Sequence, residues 1–143
     1  LTAGVIGGPL TGLVVGALSI FISDLYFGGG FWTIIDAASM ALIAFLAGLL
    51  WNRRAKIPRA ELVVGGFALT AVYDVATSVI PAWIFGYSWW IAILLLYAPF
   101  LAGFGVMYPF GLVHEVTTAV LMGAIGPTLI GRVRTLVNQK RRV

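Results

Sequence analysis

The sequence contains no cysteine, which excludes disulfides, thiol nucleophiles and cysteine metal sites. It has a single histidine, a poor start for a metal centre. Charge is scarce too: charged residues make up 10% of the 143 positions, against about 25% in soluble domains, while 61% are hydrophobic. No Gly-x-x-x-x-Gly-Lys-[Ser/Thr] phosphate loop occurs, so any ATP hydrolysis belongs to a partner. His-Glu-x-x-His and Gly-x-Ser-x-Gly are missing as well. The net charge of +4 sits in two clusters, Arg53 to Arg59 and Arg132 to Arg142, beside hydrophobic runs where topology-setting charge belongs. No basic face with interleaved stacking aromatics accompanies it, so nucleic acid is not an expected partner.

What remains is the composition of an all-α, polytopic membrane bundle forming one domain over residues 1–143. Five spans are expected, at about 3–22, 31–51, 61–80, 89–107 and 109–130, with a basic tail at 131–143. The chain begins at Leu1 and enters an apolar run almost at once, without a basic leader or cleavage site, so a natural N-terminus upstream is expected. In the first span Gly4, Gly8, Gly12 and Gly16 recur every four residues, with Pro9 in the first turn of the regular helix. Small residues at that spacing serve close helix packing or, at Gly12 and Gly16, docking of a partner subunit. Ser23 to Gly30 is expected to break the helix. Trp32 and Trp51 bracket the second span as interfacial anchors, and Asp36 near its start suits dipole capping or ligand contact. Pro81 is expected to end the third span. Trp83, Tyr87, Trp89 and Trp90 then read as an interfacial belt, and Pro99 with Gly103 to Gly105 as a kink in the fourth span.

The third span carries the costly residues. A charged side chain at the bilayer centre costs roughly 3 kcal/mol even on the mild insertion scale, so Asp74 is a functional-site candidate. At helical spacing Thr70, Asp74, Thr77 and Ser78 share one stripe, with Tyr73 beside it. In the fifth span His114, Thr117 and Thr118 share another face, while Glu115 points about 100° away. If the two faces meet, Tyr73, Asp74, Thr77, Ser78, His114 and Thr118 line a small-molecule pocket, with Trp rings available to stack on a flat ligand. Alternatively, these groups pair with each other as interhelical hydrogen bonds.

Several stretches resemble a known family. Gly8-Pro9-Leu10-Thr11-Gly12, Gly16-Ala17-Leu18-Ser19 and Ser23-Asp24-Leu25-Tyr26-Phe27-Gly28-Gly29-Gly30-Phe31-Trp32-Thr33 resemble the second and third helices of substrate-binding S components of energy-coupling factor (ECF) vitamin transporters. Ala44 to Leu50 is similar to their third-helix ending, Tyr73-Asp74-Val75-Ala76-Thr77-Ser78 to a Tyr-Asp-Leu-Leu-Thr-Asn stretch, and Pro109 to Ala119 to the sixth-helix start. Ser78 and Thr118 depart from the pattern, standing where many members have Asn.

The resemblance implies six helices, the first of them upstream of Leu1, in the plasma membrane of a prokaryote. It implies capture of a vitamin-like heterocycle without chemistry on it, and release powered by a transmembrane coupling subunit and two ATPases. It carries no catalytic residue, metal or covalent cofactor, and expects ligand contacts from Tyr73, Asp74, Thr77, Ser78, His114, Thr118, Trp32 and Asp36. Two other classes stay open: a structural or assembly subunit, and a membrane enzyme using His114, Glu115 and Asp74 as acid and base. Three complete spans between the basic clusters would put them on opposite sides of the membrane, and the resemblance then implies an external linker and a cytoplasmic tail.

Overall fold

The computed structural model describes residues 1–97 and 110–140. Every regular element among them is an α-helix: α1 Thr2–Gly7, α2 Pro9–Phe27, α3 Trp32–Trp51, α4 Arg59–Ile84, α5 Trp89–Tyr97, α6 Phe110–Ala124 and α7 Gly126–Lys140. Among the described residues α2, α3 and α4 are long and apolar enough to cross a bilayer, and α6 with α7 makes a fourth if that bent pair counts as one span. Three or four of the expected five spans are thus seen among the described residues. The helix of the fourth expected span is described only to Tyr97, and the kink expected at Pro99 to Gly105 lies outside the described residues.

The first expected span is two elements. Gly8 turns the chain at φ 93°, a backbone conformation that glycine adopts without steric cost. Pro9, which lacks an N–H to lose, then starts α2. A continuous helix would set Gly4 and Gly12 about 12 Å apart at 1.5 Å per residue. Instead, a Cβ built on Gly12 would lie 2.8 Å from the Gly4 Cα, so α1 and α2 form a tight hairpin. The same glycine edge packs on α3. Cβ atoms on Gly4 and Gly12 would both strike the Ala44 carbonyl, one on Gly16 would lie 2.7 Å from the Met40 carbonyl oxygen, and one on Gly48 would lie 2.6 Å from the Pro9 Cα. Gly12 and Gly16, expected to offer a docking face, are buried against α3 within the chain.

Three further boundaries differ from expectation. α2 continues through Ser23 and Asp24 to Phe27, and Asp24 accepts a hydrogen bond from Thr33 across the glycine loop. Pro81 lies inside α4, which runs on to Ile84. So close to the C-terminus, a proline forfeits one hydrogen bond while later ones still form, including Phe85 N–H to the Pro81 carbonyl. The fifth span breaks at Ile125, where α7 leaves α6 at 51°. Pro127 cannot donate to the Gly123 carbonyl, and Gly126 offers no side chain to hold the ladder straight. The stretch expected as the start of a basic tail is therefore helical as far as Lys140.

Trp51, expected as an interfacial anchor, is 1% exposed and donates its indole N–H to Glu61 at 2.9 Å. It belongs to a core shared with Val5, Ile43, Ala47, Leu62, Leu69, Met122 and Ile130. Outside that core, α2 exposes Leu13, Val14, Leu18, Phe21, Ile22 and Leu25, the surface expected to face lipid.

Among the described residues the two basic clusters lie at the same end of the bundle. Arg134 of α7 donates to the carbonyls of Trp51 (3.0 Å), Asn52 (3.0 Å) and Arg54 (2.6 Å) at the end of α3, and to that of Val5 (3.0 Å) in α1. The expectation of opposite sides is not met by the described residues of the two clusters. α5 is described as far as Tyr97, which touches Glu115, and α6 runs from the level of that contact to the linker end. The opposite end gathers Phe31 against Phe85, Tyr26 against Phe27, and exposed Trp32, Trp83, Tyr87, Trp89 and Trp90, with no lysine or arginine among the described residues.

Candidate functional site: a buried Asp–His pair between α4 and α6

α4 and α6 run antiparallel. Gly66 admits Met122 and the backbone at Ala119, Gly123 admits Val63, and Gly126 lies against Leu62. Small residues are the usual means of close helix approach in lipid. That register sets Thr70, Tyr73 and Asp74 of α4 opposite His114 and Thr118 of α6, so the two polar faces meet as their spacing predicts.

Asp74 is 6% exposed. Its Oδ1 lies 2.8 Å from His114 Nδ1, while its Oδ2 is buried without a hydrogen-bond partner among the described residues. With an ionised carboxylate as acceptor, Nδ1 carries the proton, which leaves Nε2 as the open ring nitrogen. Tyr73 meets the imidazole edge to face, ring centroids 5.9 Å apart and planes at 80°, and so fixes its orientation. Half-exposed His114 lines a cavity of about 350 Å³ together with Thr70 and Thr118. Thr70 donates its hydroxyl proton to the Gly66 carbonyl at 2.8 Å and keeps its oxygen free to accept. Apart from Thr2, the rest of the wall is largely aliphatic or thioether, including Met40, Ile43, Leu121, Met122 and Leu129.

His114 and Thr118 thus line the cavity, Asp74 and Tyr73 contact His114 without lining that cavity, and four expected site residues do not join them. Thr77 bonds its own helix, donating to the Tyr73 and Asp74 carbonyls at 3.0 and 3.2 Å. Ser78 faces a separate groove between α4 and α5, lined by Ala82, Tyr87, Ile91 and Leu95. Trp32 is half-exposed in the aromatic end, and Asp36 neither caps α3 nor lines the cavity. No tryptophan or other aromatic ring apart from the imidazole contributes to the wall, so the stacking platform expected for a flat ligand is missing from it.

Two features escaped the sequence reading. Glu115 is 1% exposed and accepts a 2.5 Å hydrogen bond from the Tyr97 hydroxyl, a second polar pair on the other side of α6. Its spacing showed only that it points away from His114. Met40 and Ile43 of α3 close the cavity, a contribution that no polar spacing marks. Among the described residues no group of three or more acidic, histidine or cysteine side chains is placed to hold a metal ion. Comparison with protein-family models, curated protein sequences and solved structures returns no match for this chain.

Proposed function

We propose that this chain captures a small molecule within the membrane at the Asp74–His114 end of the cavity, as the substrate-binding subunit of an ECF-type uptake system. The observation that carries the reading is the buried Asp74 carboxylate, with one oxygen held by His114 and the other unpartnered among the described residues, next to a cavity lined by His114 and by Thr2, Thr70 and Thr118. A purely structural pair in lipid would be expected to satisfy both oxygens, because an orphaned buried acceptor costs about 1–3 kcal/mol. A ligand N–H or O–H reaching Oδ2, with a second polar atom on His114 Nε2 or Thr118, removes that cost. The ordered likeness of residues 8–33, 44–50, 73–78 and 109–119 to ECF S components supports uptake over other uses of such a pocket.

The test uses the protein purified from membranes. A panel of vitamins and related micronutrients is screened by thermal stabilisation, and hits are titrated by calorimetry. Saturable binding that is lost in Asp74→Ala and in His114→Ala, together with co-purification of an ATPase-bearing coupling complex, is the expected result. A panel without a binder, combined with failure to recover any such complex, would end the transporter reading.

A further inference from the structure

We propose that the basic end is the cytoplasmic face of the protein and that α7 lies in the headgroup layer of that leaflet, where it binds anionic phospholipid. The argument begins with charge. Arg53, Arg54, Lys56, Arg59, Arg132 and Arg134 gather at this end, and the only carboxylate among the described residues there is Glu61. Glu61 pairs with Arg54, and Arg134 is taken up by four backbone carbonyls. Arg53, Lys56, Arg59 and Arg132 are left exposed to whatever covers this end. Short basic segments flanking spans are retained on the cytoplasmic side, and the two clusters share one side, so both obey the same rule.

The shape of α7 fits an interfacial helix. It turns 51° away from α6 instead of continuing as a span. Buried Ile130 and carbonyl-bonded Arg134 hold one side to the bundle. Leu129 and Leu136 are exposed on a second side, and Thr128, Arg132, Thr135 and Gln139 form a polar third. Such a helix buries its leucines at the acyl boundary and keeps its polar face among headgroups. Arg132 lies in a shallow groove with Thr128 and Thr135, so a guanidinium and the Thr128 hydroxyl are available where a phosphodiester would sit, the Thr135 hydroxyl proton being held by the Gly131 carbonyl. The negative potential of the cytoplasmic leaflet is the complementary surface.

The absence of cysteine makes the test direct, because each introduced thiol is unique. Ser88→Cys at the aromatic end should react with a membrane-impermeant maleimide on intact cells, and Ala55→Cys in the linker only after permeabilisation. The reverse pattern overturns the orientation. In nanodiscs, a fluorophore on Leu136→Cys should be quenched by brominated acyl chains more than one on Gln139→Cys, and equal quenching overturns the interfacial seat. Adding phosphatidylglycerol to zwitterionic nanodiscs should raise the melting temperature, and added salt should reverse the rise. The variant R53Q/K56Q/R59Q/R132Q should lose most of that rise while melting as the parent does in zwitterionic lipid alone. A variant that keeps the full rise overturns the lipid assignment. So does an unquenched Leu136→Cys probe that a co-purifying acidic protein shields from labelling, which would give this surface to a protein.

Discussion

Replacing Gly12 by alanine tests the packing on which the whole architecture depends. The added Cβ would lie 2.7 Å from the Ala44 carbonyl carbon and 2.8 Å from the Gly4 Cα. Carbon atoms in good contact sit at about 3.5–4.0 Å, so α2 must withdraw by roughly 1 Å from α3, from α1, or from both. Both obstacles are backbone atoms, which no rotamer change moves. Overpacking a well-filled core costs about 1–3 kcal/mol, and a clash with backbone on two sides belongs at the upper end. Against this, alanine gains about 0.8–1 kcal/mol over glycine in a helix interior. Gly131 of α7 isolates the second effect, because a Cβ there meets nothing within 4 Å. Gly131→Ala is therefore expected to stabilise slightly and Gly12→Ala to destabilise by about 1–2 kcal/mol net, on the same scales. The assay is reversible unfolding in mixed micelles, followed by tryptophan fluorescence. A Gly12→Ala protein as stable as Gly131→Ala would refute the hairpin and its contact with α3.

Three further outcomes follow from the polar contacts. His114→Leu leaves the buried Asp74 carboxylate without its one partner and should cost about 1–3 kcal/mol or more, whereas Asp74→Leu/His114→Leu should recover most of that loss in the same unfolding assay. Tyr97→Phe strips the only donor to Glu115 among the described residues and should destabilise by about 1–3 kcal/mol, while Glu115→Gln, which can still accept from Tyr97, should be tolerated; melting temperatures separate the two. Arg134→Lys replaces a planar fork by a single ammonium that cannot span the carbonyls of Val5, Trp51, Asn52 and Arg54. A loss of about 1.5–3 kcal/mol per abandoned bond is the scale, and hydrogen exchange should accelerate in α7 and in residues 52–54 before the rest of the bundle.

The fold was legible where one helix carried the signal and obscure where two helices had to meet. Trp32–Trp51 emerges almost at its expected bounds because an uninterrupted apolar run of that length has few other solutions in a bilayer. Gly4, Gly8, Gly12 and Gly16 misled because a four-residue repeat describes one edge of a straight helix as well as two edges of a hairpin. Only the contact of Gly4 with Gly12 separates them. Pro81 carried a weaker signal than assumed, since a proline in the last turn has little helix left to disrupt. Gly126-Pro127 held a break signal that the apolar run around it outweighed. The side-of-membrane expectation came from counting apolar runs as complete crossings, whereas the contacts of Arg134 with the end of α3 appear in no hydropathy window.

The site was legible for the opposite reason: its residues are anomalies in lipid, and anomalies need partners. Asp74 and His114 stood on single-helix faces, and each face had one plausible destination, the other. Thr77 and Ser78 were legible in position but not in use, because a hydroxyl in a helix can bond its own carbonyls, as Thr77 does, and then needs nothing from a neighbour. The tryptophans were abundant enough to suggest stacking, yet Trp51 is buried in the core and the other four collect at the end without basic residues among those described, where an amphipathic ring is stable without any ligand. What then separates a binding site from a mere helix clasp is the second oxygen of Asp74. A clasp is complete when His114 is in place; this carboxylate is not, and the cavity edged by His114 and Thr118 lies beside the pair. On the proposed binding role, the chemistry that completes it brings a donor and a largely apolar body, since Met40, Ile43, Leu121, Met122, Ile125 and Leu129 form most of the remaining wall.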